Sequence, residues 1–478
     1  MFRNIKIFLP ILALFFCFTV YADSNWQTLK RITYPEILFY KISERDAFDI
    51  FELSLSSEAR VVKQSQSSHY VVFHIVPMLK PVNFSIWKAF KENFKRFNIE
   101  QRAGYTEIFL SSDKRLGSPY IEKTSSGEIK LCIPKLVRQT KHELPNGKII
   151  SDGIRYYHDI TTVASVKQTH IYVIKISPTK FADIVWPSLA HEGIARKERL
   201  SSMAKRYNAI CGINAGFFAA QGNPLGILII NRKLLSSPIY GRSVCGITDD
   251  NNIVFGNPDF SGNFKTGNIN ISIDGVNQTR RINSLVVYTS EYAPTTMTED
   301  DGVELILVKG KIVAIQNKNS SIPPDGVVIS ASGSKAQMLK EVKLGAATYL
   351  NYSVDEPWSS IKHAVGGGPR LLKDGKIFIN GEEEHFSSSI TTGRHPRTAI
   401  GVTFDGALVL LAADGRTKES AGMTLHELAS YMKSIGVENA INLDGGGSTT
   451  MWVKGKIVNV PSDGAERAIS NGIVIINE

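Results

Sequence analysis

The chain has 478 residues, enough for two or three domains, and 43% of them are hydrophobic, as in an ordinary globular protein. Its formal net charge of +10 favours acidic surfaces or anionic glycans as partners. The Lys and Arg residues are spread along the chain rather than clustered with aromatic residues, which argues against nucleic-acid binding. Composition therefore excludes a disordered chain, and we expect no nucleic-acid partner.

Residues 1–22 have the pattern of a secretory signal peptide. Arg3 and Lys6 precede an apolar run from Ile7 to Val20. The segment Val20-Tyr21-Ala22 then supplies a small-residue cleavage pattern. A membrane anchor is the alternative, but the run is shorter than the ~20 residues that a spanning helix needs. We therefore expect an exported protein, periplasmic or secreted, with a net charge of +8 and no transmembrane segment after cleavage.

Three cysteines remain after that cleavage, namely Cys132, Cys211 and Cys245. An odd number in an oxidising compartment permits at most one disulfide within the chain. Cys211 and Cys245 are the favoured pair because they fall in one predicted domain. No two of the three have the spacing of metal ligands, so a zinc site built on thiolates is not expected.

Residues 23–137 are expected to form an N-terminal domain of unknown role. Short apolar runs such as Tyr70 to Val76 indicate strands, and one helix is predicted near Trp87 to Phe97. This part of the chain carries no chemical motif. A polar, basic segment that includes Pro145-Asn-Gly147 predicts a linker over residues 138–150.

Residues 151–478 are rich in predicted strands and glycine turns and have few helices. This predicts an α+β class, a strand-rich mixed sheet domain preceded by the smaller N-terminal one. Three tight hairpins are predicted where Lys-Gly or Asp-Gly lies between apolar residues, because such turns need positive φ. They are Val308 to Val313, Leu372 to Ile377 and Val453 to Val458.

A fourth hairpin is predicted around Asp405-Gly406. With a two-residue turn, Phe404 would face Ala407, and Arg397 would lie directly opposite Asp414. The register therefore predicts that an Arg and an Asp meet at one end of this sheet.

The strongest chemical feature follows this hairpin. Thr424-Leu-His-Glu427 is a capping box that opens an amphipathic helix ending at Gly436. A short apolar strand, Ala440 to Leu443, then leads into Asp444 and three glycines. Because consecutive glycines let a backbone approach a ligand closely, the loop Asn442 to Thr450 is a candidate binding site; a tight bend in a crowded sheet is the alternative.

Several motifs occur together in a family-specific order. They are Asn214-Ala-Gly-Phe-Phe218, Asn283 to Thr289 with Thr295 to Thr298, Gly366-Gly-Gly-Pro369, Arg397-Thr-Ala-Ile-Gly401, Ala413-Asp-Gly-Arg416 and Asn442-Leu-Asp-Gly-Gly-Gly-Ser-Thr-Thr450. This order resembles the phosphodiester glycosidase family, the domain of the lysosomal uncovering enzyme, from about Gly153 to the C-terminus. The resemblance implies an exported hydrolase that cleaves a sugar from a phosphodiester-linked or related glycoconjugate.

Glycoside cleavage passes through an oxocarbenium-like state, which a carboxylate stabilises while a second group transfers a proton. Asp444 and Asp414 are the candidate catalytic carboxylates, and His395 is a candidate proton-transfer group. The alternatives are that Asp444 caps the glycine turn, that Asp414 only pairs with Arg397, and that His395 only donates a hydrogen bond.

The remaining candidates are expected to bind the sugar or its phosphate. Arginine side chains can hold a phosphate leaving group bidentately and so lessen the need for a strong general acid. The candidate substrate-binding residues are Asn214, Gly367, Gly368, Arg370, Arg397, Arg416, Asn442, Gly445, Gly446, Ser448 and Thr449.

The sequence requires no cofactor. Asp414, Asp444 and the carbonyl groups of the glycine loops would suit Ca²⁺ or Mg²⁺, so a divalent cation stays an open alternative. A second hypothesis for the whole chain is a non-catalytic accessory protein that binds cell-envelope glycan or assists exopolysaccharide assembly. Binding of a sugar-phosphodiester without release of sugar would favour that hypothesis.

Overall fold

The computed structural model describes residues 35–476 except 46–47, 67–69, 82–87, 89, 92–93, 113–115, 117–118, 137–141, 164–166, 179–184 and 192. The predicted signal peptide lies outside the described residues. So does part of the predicted linker, whose last residues belong to a strand that begins at Lys148. Within the described residues, no helix is long and apolar enough to cross a membrane.

The N-terminal part of the chain is built of antiparallel strands. They are β1 (Ile37–Arg45), β2 (Phe48–Leu55), β3 (Arg60–Gln66), β4 (Tyr70–Val76), β5 (Arg96–Arg102), β6 (Tyr105–Ser111), β7 (Tyr120–Lys123) and β8 (Ile129–Leu136). One sheet has the order β1-β2-β8-β7, and the other has the order β3-β4-β6-β5.

The two N-terminal sheets share one hydrophobic core. Val71, Phe73 and Ile75 alternate with more exposed residues along β4, as expected for a strand with one buried face. Phe90 lies in this core beside Phe51, with ring centroids 5.5 Å apart. The predicted helix near Trp87 to Phe97 falls partly outside the described residues, and its end is wrong because β5 pairs with β6 from Arg96 onward.

The next stretch of chain leads to the middle of the molecule. Its elements are β9 (Lys148–Ser151), β10 (Ile154–Val163), β11 (Lys167–Ile176), β12 (Val185–Leu189), β13 (Glu198–Arg199), α1 (Leu200–Arg206), β14 (Ala209–Asn214), β15 (Leu228–Ile230), β16 (Lys233–Ser236), β17 (Val244–Ile247), β18 (Ile253–Gly256), β19 (Phe260–Thr266), β20 (Ile269–Ser272), β21 (Gly275–Val276) and β22 (Leu285–Thr289).

The C-terminal stretch completes the sheets. Its elements are β23 (Gly302–Val308), β24 (Lys311–Gln316), β25 (Gly326–Ser332), α2 (Gly333–Met338), β26 (Thr348–Val354), β27 (His363–Gly366), β28 (Arg370–Lys373), β29 (Lys376–Ile377), α3 (Ser388–Thr392), β30 (Arg397–Thr403), β31 (Leu408–Ala413), α4 (Leu425–Ser434), β32 (Val437–Asn442), β33 (Met451–Val453), β34 (Lys456–Ile457), β35 (Ala468–Ile469) and β36 (Asn471–Ile476). Short 3₁₀ helices span Trp358–Ser360 and Gly446–Ser448.

The largest sheet has the order β29-β28-β32-β30-β31-β11-β10-β9, and its middle strands are buried on both faces. One face packs on α4 and the other on the sheet β12-β36-β14-β33-β34. Strands β30 and β31 are therefore buried at every residue. The remaining sheets are β13-β35, β16-β15-β27-β17-β18, β20-β19-β26 and β21-β22-β25-β23-β24, where only β21 and β22 pair in parallel among the described ladders. The predicted strand-rich α+β class is confirmed.

Helix α4 forms as the capping box predicts. The Thr424 hydroxyl accepts a hydrogen bond from the Glu427 amide, and the Glu427 carboxylate accepts one from the Thr424 amide. Leu425 and Leu428 are fully buried against the large sheet, and burial of each leucine stabilises the fold by about 1.5–3 kcal/mol. Gly436 then ends the helix with a φ of 86°.

The three smaller hairpins are confirmed. In each turn both central residues have positive φ, which the twist of a two-residue hairpin requires. The turn residues are Lys309-Gly310, Asp374-Gly375 and Lys454-Gly455.

The fourth hairpin has a different register, and the predicted pairing of Arg397 with Asp414 is wrong. Arg397 faces Ala413 instead. The Phe404 amide leaves the hairpin and donates to the Gly436 carbonyl at 3.0 Å, while the Thr403 amide donates to the Ala407 carbonyl. The turn therefore contains three residues, and every pair along the two strands shifts by one.

The favoured disulfide is also absent. Cys211 and Cys245 are buried and not disulfide-bonded. They lie on β14 and β17, which belong to different sheets. Burial raises the pKa of the Cys245 thiol to about 12 and raises that of Cys211 as well, so both remain protonated, inert core residues.

Candidate active site

Strand β32 carries the glycine-rich loop to the junction of the large sheet with the sheet that contains β14. The Asp444 amide donates to the Ala215 carbonyl at 2.9 Å, and the Asn214 side-chain amide donates to the Asp444 carbonyl at 2.6 Å. The Gly446 amide donates to the Pro396 carbonyl at 2.9 Å. The loop therefore meets the chain just before β30.

The glycines of this loop are required by close backbone contacts. A Cβ atom on Gly445 would lie 2.7 Å from the Pro396 carbonyl oxygen. Gly446 has a φ of 61° and turns the chain into the 3₁₀ helix Gly446–Ser448. The loop is therefore a tight bend in a crowded sheet, as one alternative predicted. It also places Asp444 near charged groups, as a binding site would require.

Asp444 is a partly buried carboxylate with a perturbed pKa. Burial raises the pKa of Asp444 to about 6, although the Ser448 hydroxyl, the Arg467 charge and the Gly445 amide act in the opposite direction. A carboxyl group with a pKa this close to neutrality, beside a glycine loop, is the kind of group that enzymes use in proton transfer or charge stabilisation.

Arg416 places a positive charge over the same loop, and His395 orients it. The Arg416 guanidinium lies over Gly446, with Nη1 3.3 Å from the position that a Cβ would occupy. Arg416 Nη2 and His395 Nδ1 are 2.9 Å apart, and His395 Nε2 lies 2.9 Å from the Ser389 carbonyl oxygen. Because a guanidinium only donates, Nδ1 is the acceptor and Nε2 carries the proton.

This arrangement engages both ring nitrogens of His395. Burial lowers the pKa of His395, and the charges of Arg397 and Arg416 lower it further against the effect of the Ser389 hydrogen bond. The neutral ring therefore positions Arg416 in this structure. The geometry favours the hydrogen-bonding alternative for His395 over proton transfer.

Arg467 and Asp463 are two further charged residues over this loop, here called with Arg416 the charged rim, and no sequence pattern indicated either of them. Arg467 Nη2 and a carboxylate oxygen of Asp463 are 2.7 Å apart, and both side chains lie over Gly447. Arg467 Nη1 also contacts the Ser448 hydroxyl at 3.5 Å. An i,i+4 Asp–Arg pair is ordinarily a surface feature, so the sequence offered no sign that this one faces the glycine loop.

Most of the polar side chains that were predicted to contact sugar point into the protein. Asn214 Oδ1 accepts from the Thr398 hydroxyl and the Thr450 amide. The Thr398 hydroxyl also contacts the Thr449 hydroxyl, at 3.3 Å, and Asn442 Nδ2 donates to the Gly368 carbonyl. These side chains are 1% exposed or less. Their observed contacts hold the loop in place, and contact with substrate stays a prediction.

Asp414 is 2% exposed, and both of its carboxylate oxygens accept hydrogen bonds. Tyr172 donates to Oδ2 at 2.9 Å, while the Val460 amide and Asn459 Nδ2 donate to Oδ1. Burial raises the pKa of Asp414, and these hydrogen bonds oppose the rise. Asn459 also bonds the Thr449 carbonyl, so Asp414 reaches the glycine loop through Asn459.

The two other predicted arginines are buried in the scaffold. Arg397 is 3% exposed and donates to the carbonyl groups of Met423, Ile390 and Gly393. Burial lowers the pKa of Arg397 to about 10, and the Arg416 charge contributes to this shift. Arg370 donates to the Leu372 carbonyl and to Asn439, away from Asp444.

Gly367 and Gly368 lie on the other side of Asn442. The Gly368 amide donates to the Asn442 carbonyl at 2.7 Å, and a Cβ on Gly367 would lie 2.5 Å from that oxygen. The two glycine loops therefore pack directly on each other. Across the described ranges, no group of three or more His, Cys, Asp or Glu side chains gathers as a metal site.

Comparisons with known proteins agree with this architecture. Residues 301–476 match the family model for phosphodiester glycosidase. The mouse N-acetylglucosamine-1-phosphodiester alpha-N-acetylglucosaminidase is 31% identical over 156 residues, which cover 30% of this chain and 30% of that enzyme. The resemblance read from the motifs is thus confirmed for residues 301–476, which match a phosphodiester glycosidase domain.

Two solved structures share the fold. A hypothetical protein from Synechocystis has a TM-score of 0.63 at 22% identity, covering 93% of this chain and 80% of that one. A protein of Burkholderia pseudomallei described as a candidate exported protein has a TM-score of 0.58 at 17% identity, covering 92% of this chain and 96% of that one. The chain spans less than a third of the length of the curated relatives that it matches first.

The raised pKa of Asp444 predicts an effect on stability. In an unfolded chain this carboxyl ionises near pH 4, whereas in the folded protein it ionises near pH 6. Folding stability is therefore lost as pH rises between these values, and Asp444→Asn removes the loss. We expect the variant to be more stable than wild type by about 1–3 kcal/mol at pH 7, with no difference below about pH 4.

Urea unfolding at both pH values measures this difference. Asp405→Asn is the matched control: burial raises the pKa of Asp405, but hydrogen bonds from Thr403 and Lys175 outweigh it and hold that pKa below its usual value. The control should therefore lose a little stability at pH 7. An Asp444→Asn variant that is less stable than wild type at pH 7 would show that the Asp444 carboxylate is well solvated or well paired.

Proposed function

We propose that this chain is a glycosidase that cleaves a sugar from a phosphodiester-linked glycoconjugate. The observation that carries the proposal is the Asp444 carboxylate, partly buried at the end of β32 with its pKa raised to about 6, in a loop over which the guanidinium groups of Arg416 and Arg467 lie. A carboxylate and fixed cations at one spot match the two demands of the reaction, stabilisation of an oxocarbenium-like state and of a departing phosphate.

In this proposal Asp444 acts as the ionised carboxylate next to the anomeric carbon. Arg416 is exposed, has no carboxylate partner among the described side chains and is oriented by His395, so it can bind a phosphate oxygen pair. Arg467 forms an ion pair with Asp463 and lies over the other end of the loop, at Gly447. The phosphate leaves as an anion, and this reduces the need for a strong general acid.

Asp414, Asn214 and Arg397 then act as positioning residues. Asn214 donates to the Asp444 carbonyl, and Asp414 reaches the loop through Asn459. Arg397 holds the segment before β30, whose Pro396 carbonyl accepts from the Gly446 amide. All three side chains are buried. The mouse enzyme's name supports a phosphodiester-linked N-acetylglucosamine as the first substrate to try. The N-terminal pattern of residues 1–22 and the Burkholderia structure support an exported location.

Incubation of the purified chain with methyl mannoside 6-phosphate that carries N-acetylglucosamine on its phosphate tests the proposal. We expect release of free N-acetylglucosamine, detected by chromatography, at a rate that rises as pH increases through about 6, because Asp444 must be ionised. Binding of this compound without any released sugar, over a range of sugar phosphodiesters, would contradict the proposal and favour a non-catalytic glycan-binding protein.

A further inference from the structure

A second group of side chains lies on the far side of the Gly366–Pro369 loop. We call it the aromatic–arginine face. It consists of Phe217, Tyr240, Arg242, Arg281, His385 and Phe386.

The face is built of aromatic rings and of guanidinium groups that lie over them. Arg242 lies 4.1 Å from the Phe386 ring centroid and 5.7 Å from that of Phe217. Arg281 lies 4.5 Å from the centroid of Tyr240. Tyr240 is 45% exposed, so this ring presents a flat apolar surface to solvent between two cations.

The backbone beneath this face is held in an unfavourable conformation. Tyr240 has a φ of 53° and His385 has a φ of 56°, and the two rings lie 5.2 Å apart. Tyr240 and Gly241 are the central residues of a tight turn that the Arg242 amide closes by donating to the Ile239 carbonyl at 3.0 Å, and this turn requires their positive φ. Asn257 holds the turn by donating to the Gly241 carbonyl at 2.6 Å.

The positive charges of Arg242 and Arg281 are not neutralised by ion pairs within the described part of the chain. Arg281 forms no ion pair among the described residues, and the Arg242 guanidinium donates only to the Glu384 and Leu225 carbonyl groups. The nearby Glu384 carboxylate attracts Arg242, but it already accepts hydrogen bonds from the Ser243 amide and hydroxyl and from the Arg370 amide.

The face is joined to the Asp444 loop by two short paths. Asp444 bonds the carbonyl of Ala215, and Phe217 is two residues further along the chain. On the other path, Glu384 holds Ser243, and the Ser243 carbonyl accepts from the Gly367 amide, next to the bond between Gly368 and Asn442. The face and the Asp444 loop are therefore held by the same two backbone segments, residues 215–217 and the Gly366–Pro369 loop.

We propose that the aromatic–arginine face binds an anionic sugar unit of the glycoconjugate beyond the bond that is cleaved. The sugar ring stacks on Tyr240, and its carboxylate or phosphate group is bound by Arg281 and Arg242. This inference rests on the proposed function, since it concerns the part of the substrate that remains after hydrolysis. The positive net charge of the chain agrees with an anionic glycan.

Calorimetric titration of the full chain with two uncleavable probes tests the inference. The probes are tetragalacturonate and its fully methyl-esterified form, which has the same rings without the charges. We expect the acid to bind about tenfold more tightly or better, and Arg281→Gln to abolish that preference. Pentamannose that bears one phosphomonoester, against unphosphorylated pentamannose, distinguishes a phosphate-bearing from a carboxylate-bearing ligand.

Two further variants sharpen the test. Arg232→Gln removes one exposed guanidinium elsewhere, paired with Asp249, and should leave both affinities unchanged. Tyr240→Asn keeps a residue that tolerates positive φ but removes the ring, so it should weaken binding of both the acid and the ester.

Equal losses in the Arg281 and Arg232 variants, unchanged binding in Tyr240→Asn, or no preference for either anionic probe would overturn the inference. A chain that binds these probes but releases no sugar from phosphodiesters would contradict only the proposed function. A chain that releases sugar but ignores the probes would contradict only this inference.

Discussion

We expect Asp444→Asn to hydrolyse a sugar phosphodiester about a thousand-fold more slowly than wild type, or worse, because the Asp463 carboxylate, which also lies over the glycine loop, is already paired with Arg467 and does not replace Asp444. Asparagine has nearly the same shape and preserves the backbone contacts of residue 444 with Ala215 and Asn214. The loss should therefore appear in kcat with the fold intact, measured as initial rates of sugar release.

A second variant near the same loop serves as the control for Asp444→Asn. Asp463→Asn removes a carboxylate from the rim without removing Asp444, so it should alter KM more than kcat. The acid limb of the wild-type pH profile near pH 6 should also vanish from the residual activity of Asp444→Asn. Full residual activity in Asp444→Asn would remove this residue from the mechanism.

The second large effect is expected at Arg416. Arg416→Gln should lower kcat/KM for a phosphodiester substrate about 100- to 1000-fold, since a fixed cation that meets a developing negative charge contributes on this scale. Its side chain is exposed and bonds His395, so stability should change little. The effect should nearly disappear with 4-nitrophenyl N-acetylglucosaminide, whose leaving group carries no phosphate.

Lys418→Gln is the matched control, because it removes an equal charge from an exposed side chain two residues away. It should leave both substrates unaffected. Equal losses on the phosphodiester and on the nitrophenyl substrate in Arg416→Gln would show that Arg416 supports the loop rather than the phosphate.

The sequence indicated many of the residues that gather at the candidate site, although their roles stay predictions. Asp444, the glycines after it, Arg416 and His395 do lie together. Arg467 escaped notice because its neighbour Asp463 makes it look like an ordinary surface pair. Arg397 was expected at the phosphate, yet it is committed to three backbone carbonyls from Met423 and the segment around α3.

The hairpin β30–β31 shows most clearly where sequence reasoning fails. Asp405-Gly406 marks the turn correctly, but its length depends on the Phe404 amide, which bonds Gly436 just before β32. That partner is distant in sequence, and it shifts the register by one residue. Asp414 therefore meets Tyr172 and Asn459 rather than Arg397.

The sequence by itself determined the features whose causes are local. The turns at Lys309-Gly310 and Lys454-Gly455, the capped helix α4 and the glycine loop after β32 each follow from the φ preferences and hydrogen-bonding groups of adjacent residues. The tertiary structure alone decided the register of β30, the partners of Asp414, the neutral His395 beside Arg416 and the aromatic–arginine face. These depend on groups brought together from distant strands, where burial and packing, rather than local conformation, set the free energy.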